Sequence, residues 1–228
     1  MEISVTLWAN AGISLQLGEK RVWIDPFSVQ KEPGFSLLDP VLVHKIRRHP
    51  SFLKLDACCF THKHGDHYSA EYASYSQRVH PDASFFVPEE RWGPEFYTDL
   101  GGVGIRFLRL PHEGAQYADV LHYGIILTWQ DKNILISGDC AVAAPELAAI
   151  LDRSPIHLAI LNFPWLTLQK GRDFLGKYLE NCPILLVHLP FAEDDRMGYR
   201  AATVKECAKG TFKATPLMDP LETITVEI

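Results

Sequence analysis

The stretch FTHKHGDHYS, residues 60–69, sets His62, His64, Asp66 and His67 within six consecutive positions. It continues the apolar run 55–60, which reads as a buried strand, so the four donors stand on the turn that leaves it. Imidazole nitrogen and carboxylate oxygen are ligands for divalent cations. Two imidazoles two residues apart on an extended turn can face one ion, and the carboxylate and imidazole that follow can serve a neighbouring ion. The pattern therefore favours two metals over one. A single histidine in a loop is usually only a solvated side chain; four donors in this register argue for chemistry.

Such a turn needs a rigid frame, and the periodicity along the chain supplies one. Residues 3–9, 13–17 and 21–25 read as short strands separated by Asn10-Ala11-Gly12 and Gly18-Glu19-Lys20, an antiparallel opening. Further strands are expected at 55–60, 83–87, 104–110, 122–129 and 133–137. After residue 140 the pattern alternates: helix 145–152, strand 156–161, helix 171–180, strand 183–188, helix 200–209 and strand 223–228, with a short helix at 41–49. Two sheets with helices on their outer faces satisfy this order. With 228 residues, 47% hydrophobic and 22% charged, the chain is expected to form one α/β domain over 1–228.

The formal charge of −6 argues against a broad nucleic-acid surface. Apolar runs such as 123–129 and 183–189 are too short to span a bilayer, and residues 1–4 begin no secretory signal. A cytoplasmic protein with no membrane association is expected. The five cysteines form an odd set with Cys58 and Cys59 adjacent, a poor disulfide framework, so reduced thiols are expected.

THKHGDH matches the His-x-His-x-Asp-His motif of the metallo-β-lactamase superfamily, and the rest of the chain resembles that superfamily in order: RVWIDPF (21–27), LPHEG (110–114), ISGDC (136–140) and LLVHLPF (185–191). The resemblance implies an αββα four-layer sandwich with a dinuclear site at one edge of the sheets. It assigns His62, His64 and His112 to one ion, Asp66, His67 and His188 to the other, and Asp139 to both. The ions would be zinc, with manganese or iron(II) compatible with the same donors. His112, Asp139 and His188 also stand at or just beyond the ends of apolar strands, where distant residues can converge. His122, at the start of strand 122–129, rivals His112. Asp25, which ends a strand before Pro26, could accept the second N–H of a ligand histidine and fix its tautomer. His44, His49, His80 and His157 lack such context.

The chain departs from commoner relatives at Asn10, where many carry histidine, and at Cys140, where threonine is common. Two divalent ions about 3.5–4 Å apart can hold a bridging water, bring its pKa toward neutrality and polarise the group it attacks. That implies hydrolysis of a small ester, lactone, thioester or phosphodiester, with Asp66 and Asp139 as the catalytic carboxylates. Among relatives the layout looks most like the short, stand-alone hydrolases that include sugar-phosphate lactonases. A di-iron redox enzyme of the flavin-linked branch, which usually carries glutamate where His64 stands, and a non-catalytic metal-binding protein are the alternatives. The substrate pocket is expected from the connection between Pro26 and Leu55, which includes Gly34, from Trp165 and its neighbours, and from Phe191 to Arg200, with Arg196 and Arg200 favouring an anionic small molecule.

Overall fold

A computed structural model describes residues 1–29 and 35–228; Gly34 lies outside the described residues. Among the described residues the strands are β1 (Glu2–Ala9), β2 (Gly12–Leu17), β3 (Lys20–Ile24), β4 (Ala57–Cys59), β5 (Ser84–Phe86), β6 (Glu95–Asp99), β7 (Val103–Arg109), β8 (Tyr123–Trp129), β9 (Lys132–Ile136), β10 (Leu158–Asn162), β11 (Ile184–Val187), β12 (Ala214–Pro216) and β13 (Thr223–Glu227). One sheet runs β13-β1-β2-β3-β4-β5 and the other β12-β11-β10-β9-β8-β7-β6. The helices are α1 (Pro40–Ile46), α2 (Pro50–Leu53), α3 (Ala70–Val79), α4 (Pro145–Leu151), α5 (Pro164–Thr167), α6 (Gln169–Tyr178) and α7 (Tyr199–Cys207).

Alternation along the strands builds the layers. In β1, Ile3, Val5 and Leu7 enter the core between the sheets, whereas Trp8 faces outward. In β3, Val22 and Ile24 point inward and Trp23 outward. On the second sheet, Leu158 and Ile160 of β10 join the central core while Ala159 and Leu161 meet the outer helices. The outer face of the first sheet is covered by α1, α2 and α3 through Leu42, Ile46, Phe52 and Ala73. That of the second is covered by α4, α5 and α6 through Leu147, Leu166, Phe174 and Leu175. The architecture is an αββα four-layer sandwich. Trp8 and Trp23 are fully buried, their rings 4.6 Å apart edge to face; burying an aromatic side chain of this kind contributes about 1.5–3 kcal/mol.

Local chemistry starts the helices. Pro40 opens α1 behind Asp39, whose carboxylate accepts the Leu42 N–H at 2.7 Å. The expected helix 41–49 is shorter, starting at Pro40 and ending at Ile46, and Pro50 starts the separate short helix α2. All five cysteines are free thiols. No helix among the described residues is long and apolar enough to cross a membrane.

Candidate metal centre

The donors gather where strands of both sheets end. His62 and His64 follow β4, Asp139 follows β9, His188 follows β11, and Asp25 directly follows β3 in a left-handed backbone conformation with φ 46°. His112, beyond β7, forms an isolated bridge with Cys140, and the Glu113 N–H donates to the Asp139 carbonyl at 2.8 Å, which stitches these two strand ends together. The His188 N–H donates to the Asn10 carbonyl at 2.9 Å, joining the β1–β2 turn to the end of β11. Gly138 has φ +53°, and a Cβ there would lie 2.7 Å from His122 Nε2 and 2.8 Å from Thr61, so only glycine fits beside Asp139.

The donor atoms form two groups, His62, His64 and His112 in one and Asp66, His67, Asp139 and His188 in the other, each with its atoms within 4.8 Å of one another. Asp139 serves both sides. Its Oδ1 lies 3.2 Å from His67 Nε2 and 3.7 Å from His188 Nε2, and its Oδ2 lies 3.6 Å from His112 Nε2 and 4.0 Å from His62 Nε2. Asp66 Oδ2 stands 3.4 Å from His188 Nε2.

Hydrogen bonds fix which ring nitrogen each histidine offers. Asp25 Oδ2 accepts from His67 Nδ1 at 2.9 Å and from the Thr61 hydroxyl at 2.6 Å, and Asp25 Oδ1 accepts the Thr61 N–H at 2.7 Å. Because the Thr61 hydroxyl proton goes to Asp25, Thr61 Oγ1 is left to accept from His62 Nδ1 at 3.0 Å. His112 Nδ1 donates to the Glu113 carbonyl at 2.8 Å. In each case Nε2 is directed to the centre. His64 differs, presenting Nδ1 to His62 Nε2 at 3.1 Å.

The electrostatics fit a cation. His67 Nε2 and His188 Nε2 are 3.1 Å apart, a separation at which two lone pairs repel unless something positive lies between them. Burial disfavours charge on His67, but Asp139 and Asp25 outweigh it and hold its pKa well above the usual histidine range. Burial would likewise raise Asp139 and Asp66, yet His67 and His188 keep Asp139 well below the ordinary carboxylate value, and a hydrogen bond from His188 with the same two charges lowers Asp66. A field that retains a proton at His67 is also suited to a divalent ion. Burial pushes His62 well down and His112 down, which leaves both rings neutral with a lone pair to offer. Among the described residues His112 Nε2 is buried with no hydrogen-bond partner, which leaves it able to bind a cation.

His122 belongs to neither group. It is fully buried behind His62, ring centroids 5.3 Å apart, with Nδ1 donating to the Leu110 carbonyl at 3.2 Å; burial pushes its pKa down to about 3. The Cys140 thiol is also buried and pushed up in pKa by desolvation, hence unreactive. His80 packs edge-on against Trp23 and Phe52, and His157 Nδ1 accepts the Asn133 N–H at 3.0 Å. His49 pairs with Ser51 and His44 with Arg48.

Three solved structures share this architecture over almost their whole length. Igni18, a metallo hydrolase from Ignicoccus hospitalis, is 16% identical with a TM-score of 0.70, all of both chains being covered. An isothiocyanate hydrolase from Delia radicum gut bacteria is 20% identical, TM-score 0.68, covering 98% of each chain. YhfI from Bacillus subtilis, a metallo-β-lactamase fold protein, is 17% identical, TM-score 0.67, covering 99% of each. The fold is that of the metallo-β-lactamases. No family model and no curated protein matches the sequence.

In this metallo-β-lactamase fold the donors open onto a cavity of about 290 Å³ lined by Phe35, His64, Asp66, His112, Tyr117, Asp139 and His188. A larger open groove of about 640 Å³, bordered by His157, Tyr178 and Lys213, contains none of the donors, so the smaller cavity is the one with chemistry. Of the expected pocket elements, the connection between Pro26 and Leu55 reaches the cavity through Phe35, whereas the side chains expected from the other two segments stand elsewhere. Trp165 is 1% exposed against Phe174 in the outer core, and Phe191 is 8% exposed in the core beneath the first sheet. Arg200 is engaged by the Pro190 and Met218 carbonyls and by Asp219, and Arg196 is exposed outside the cavity lining. Thr61 and Tyr117 gain places that sequence reasoning missed, and Asn162, expected only as a neighbour of Trp165 in a pocket wall, instead donates from Nδ2 to Asp139 Oδ1 at 2.6 Å. Asn162, a polar residue closing the apolar strand β10, carried the only visible signal.

Proposed function

We propose that the chain is a dinuclear metal-dependent hydrolase, zinc being the preferred ion, acting on a compact small molecule. The observation that carries this reading is the carboxylate of Asp139, with one oxygen turned to each group of histidines. His62, His64 and His112 would hold one ion, Asp66, His67 and His188 the other, and Asp139 both. Two divalent ions so held would lower the pKa of a water between them and polarise the substrate oxygen. The chain's own contribution is orientation. Asp25 and Thr61 keep Nε2 of His67 and His62 aimed inward, and Asn162 holds Asp139 by one oxygen. Asp66, kept ionised at neutral pH by its histidine neighbours, can accept a hydrogen bond from the attacking water as well as bind metal.

The test is a panel of activated esters, lactones, thioesters and phosphodiesters, given to metal-loaded and chelated protein. Isothiocyanates are included because a structure of the same fold belongs to an isothiocyanate hydrolase. Metal-dependent turnover of at least one class, abolished in His64→Ala and Asp66→Ala, is the expected result. Equal turnover after chelation contradicts the reading; two bound irons with dioxygen consumption and no hydrolysis would favour the di-iron redox alternative.

A further inference from the structure

We infer that the cavity selects an uncharged substrate whose flat or slender apolar group lies between Phe35 and Tyr117, an inference that rests on the hydrolase reading for the bond that is cut. The two rings flank the donors at either end. Phe35 packs on His188, ring centroids 4.3 Å apart, and Tyr117 packs edge-on against His64 at 5.0 Å and His112 at 4.9 Å. A group bound next to the donors therefore meets an aromatic face or edge on each side. Rigid rings of this kind present large apolar area at little conformational cost.

The Phe35 wall is built into the fold. Its neighbour Ser36 is clamped by Asn10 on both sides of the peptide: Asn10 Nδ2 donates to the Ser36 carbonyl at 2.5 Å, and the Ser36 N–H donates to Asn10 Oδ1 at 3.0 Å. Ser36 Oγ in turn accepts the Phe191 N–H at 2.7 Å. Asn10 is 0% exposed, Ser36 is 1% exposed, and the Asn10 carbonyl also holds the backbone of His188. One buried side chain thus sets the wall and the ligand it leans on. A histidine at position 10 could not supply the amide's paired donor and acceptor in the same geometry.

Charge and size narrow the ligand. Among the described residues no lysine or arginine lines the cavity, and its carboxylates, Asp66 and Asp139, belong to the metal donors. Lys170, in the first turn of α6, is paired with Glu113, and Arg200 is occupied elsewhere. A carboxylate or phosphate placed beyond the reacting atoms would face ring surfaces, where the described residues offer no partner to offset its desolvation. At about 290 Å³ the space suits one ring with a reactive group attached.

The inference is tested by calorimetric binding of three thiols to the zinc-loaded full chain: benzyl mercaptan, ethanethiol and 4-(mercaptomethyl)benzoate. Thiolates ligate zinc without being hydrolysed, so the readout is independent of turnover. Benzyl mercaptan should bind about tenfold more tightly than ethanethiol, as expected for burying a ring, and more tightly than its carboxylated analogue. Phe35→Ala and Tyr117→Ala should each bring the ratio of benzyl to ethyl affinity close to one; Tyr117→Phe should retain the ratio and Asn10→Ala should lower it. Equal or tighter binding of the carboxylated probe, equal affinity for the benzyl and ethyl probes, or no saturable binding by any probe overturns the inference. A protein that shows the preference but hydrolyses nothing overturns the hydrolase reading alone.

Discussion

Asp25 Oδ2 lies 2.9 Å from His67 Nδ1, and the Thr61 hydroxyl, 2.6 Å from the same oxygen, links His62 to it. One buried carboxylate therefore sets the tautomers of two histidines that belong to different donor groups. Asp25→Ala should weaken zinc binding by about 10–100-fold, the usual effect of removing a partner behind a ligand histidine. Thr61→Val should weaken mainly the His62 group, because it breaks the link to His62 while leaving the Asp25–His67 contact. Competition titration with a chromophoric chelator measures both; unchanged affinity in Asp25→Ala would remove the orienting role.

The shifted titrations give metal-free stability a definite shape. His67 has a folded pKa raised above its ordinary value of about 6.5, so its contribution is complete below that pH and is lost as pH rises through the raised value. Asp66 and Asp139 are lowered, so their contributions are present above the ordinary value of about 4 and are lost as pH falls through the lowered values. Metal-free protein should accordingly be most stable between these limits, with urea midpoints falling on both sides. A divalent ion must displace the His67 proton, so zinc affinity should rise with pH above about 6.5, and binding should release protons into a weakly buffered solution. Affinity independent of pH across that range would contradict the charged state assigned to His67.

Asn162 donates to Asp139 Oδ1 at 2.6 Å from the last position of β10. Removing a hydrogen bond to a charged acceptor costs about 1.5–3 kcal/mol. Asn162→Ala should therefore lower affinity for the second metal by about tenfold or more, with little change in the circular dichroism of the protein. Asn162→Asp should be worse, since it sets a second carboxylate against Asp139. Equal metal affinity in all three proteins would show that Asp139 needs no such restraint.

The layers were legible in the sequence because a strand whose two faces differ in polarity leaves a period-two record: Ile3, Val5 and Leu7 on the inner face, alternating with Ser4 and Thr6, are readable without coordinates. Helix α3 left a weaker record, its apolar face being made of Tyr72, Tyr75 and Ala73 among serines and charged residues. The edge strands β6 and β12 are short and only partly buried, so they carry little apolar pattern. At the centre, His62, His64, Asp66 and His67 could be read because they lie close together in sequence. The roles of Thr61, Asn162, Phe35 and Tyr117 could not, even where the segment itself was expected beside the site, because each acquires meaning only from a residue far along the chain: Thr61 from Asp25, Asn162 from Asp139, Phe35 from His188 and Tyr117 from His64. The expected role of Arg200 failed to appear in the cavity for the same reason, since its guanidinium is engaged by Met218 and Asp219.

The measurement that bears most directly on the dinuclear reading is metal stoichiometry by elemental analysis, after loading with excess zinc and removal of free ion. Wild type should retain two ions per chain, and Asp139→Ala, which withdraws the carboxylate facing both donor groups, should retain fewer. One ion or none per wild-type chain would contradict the account.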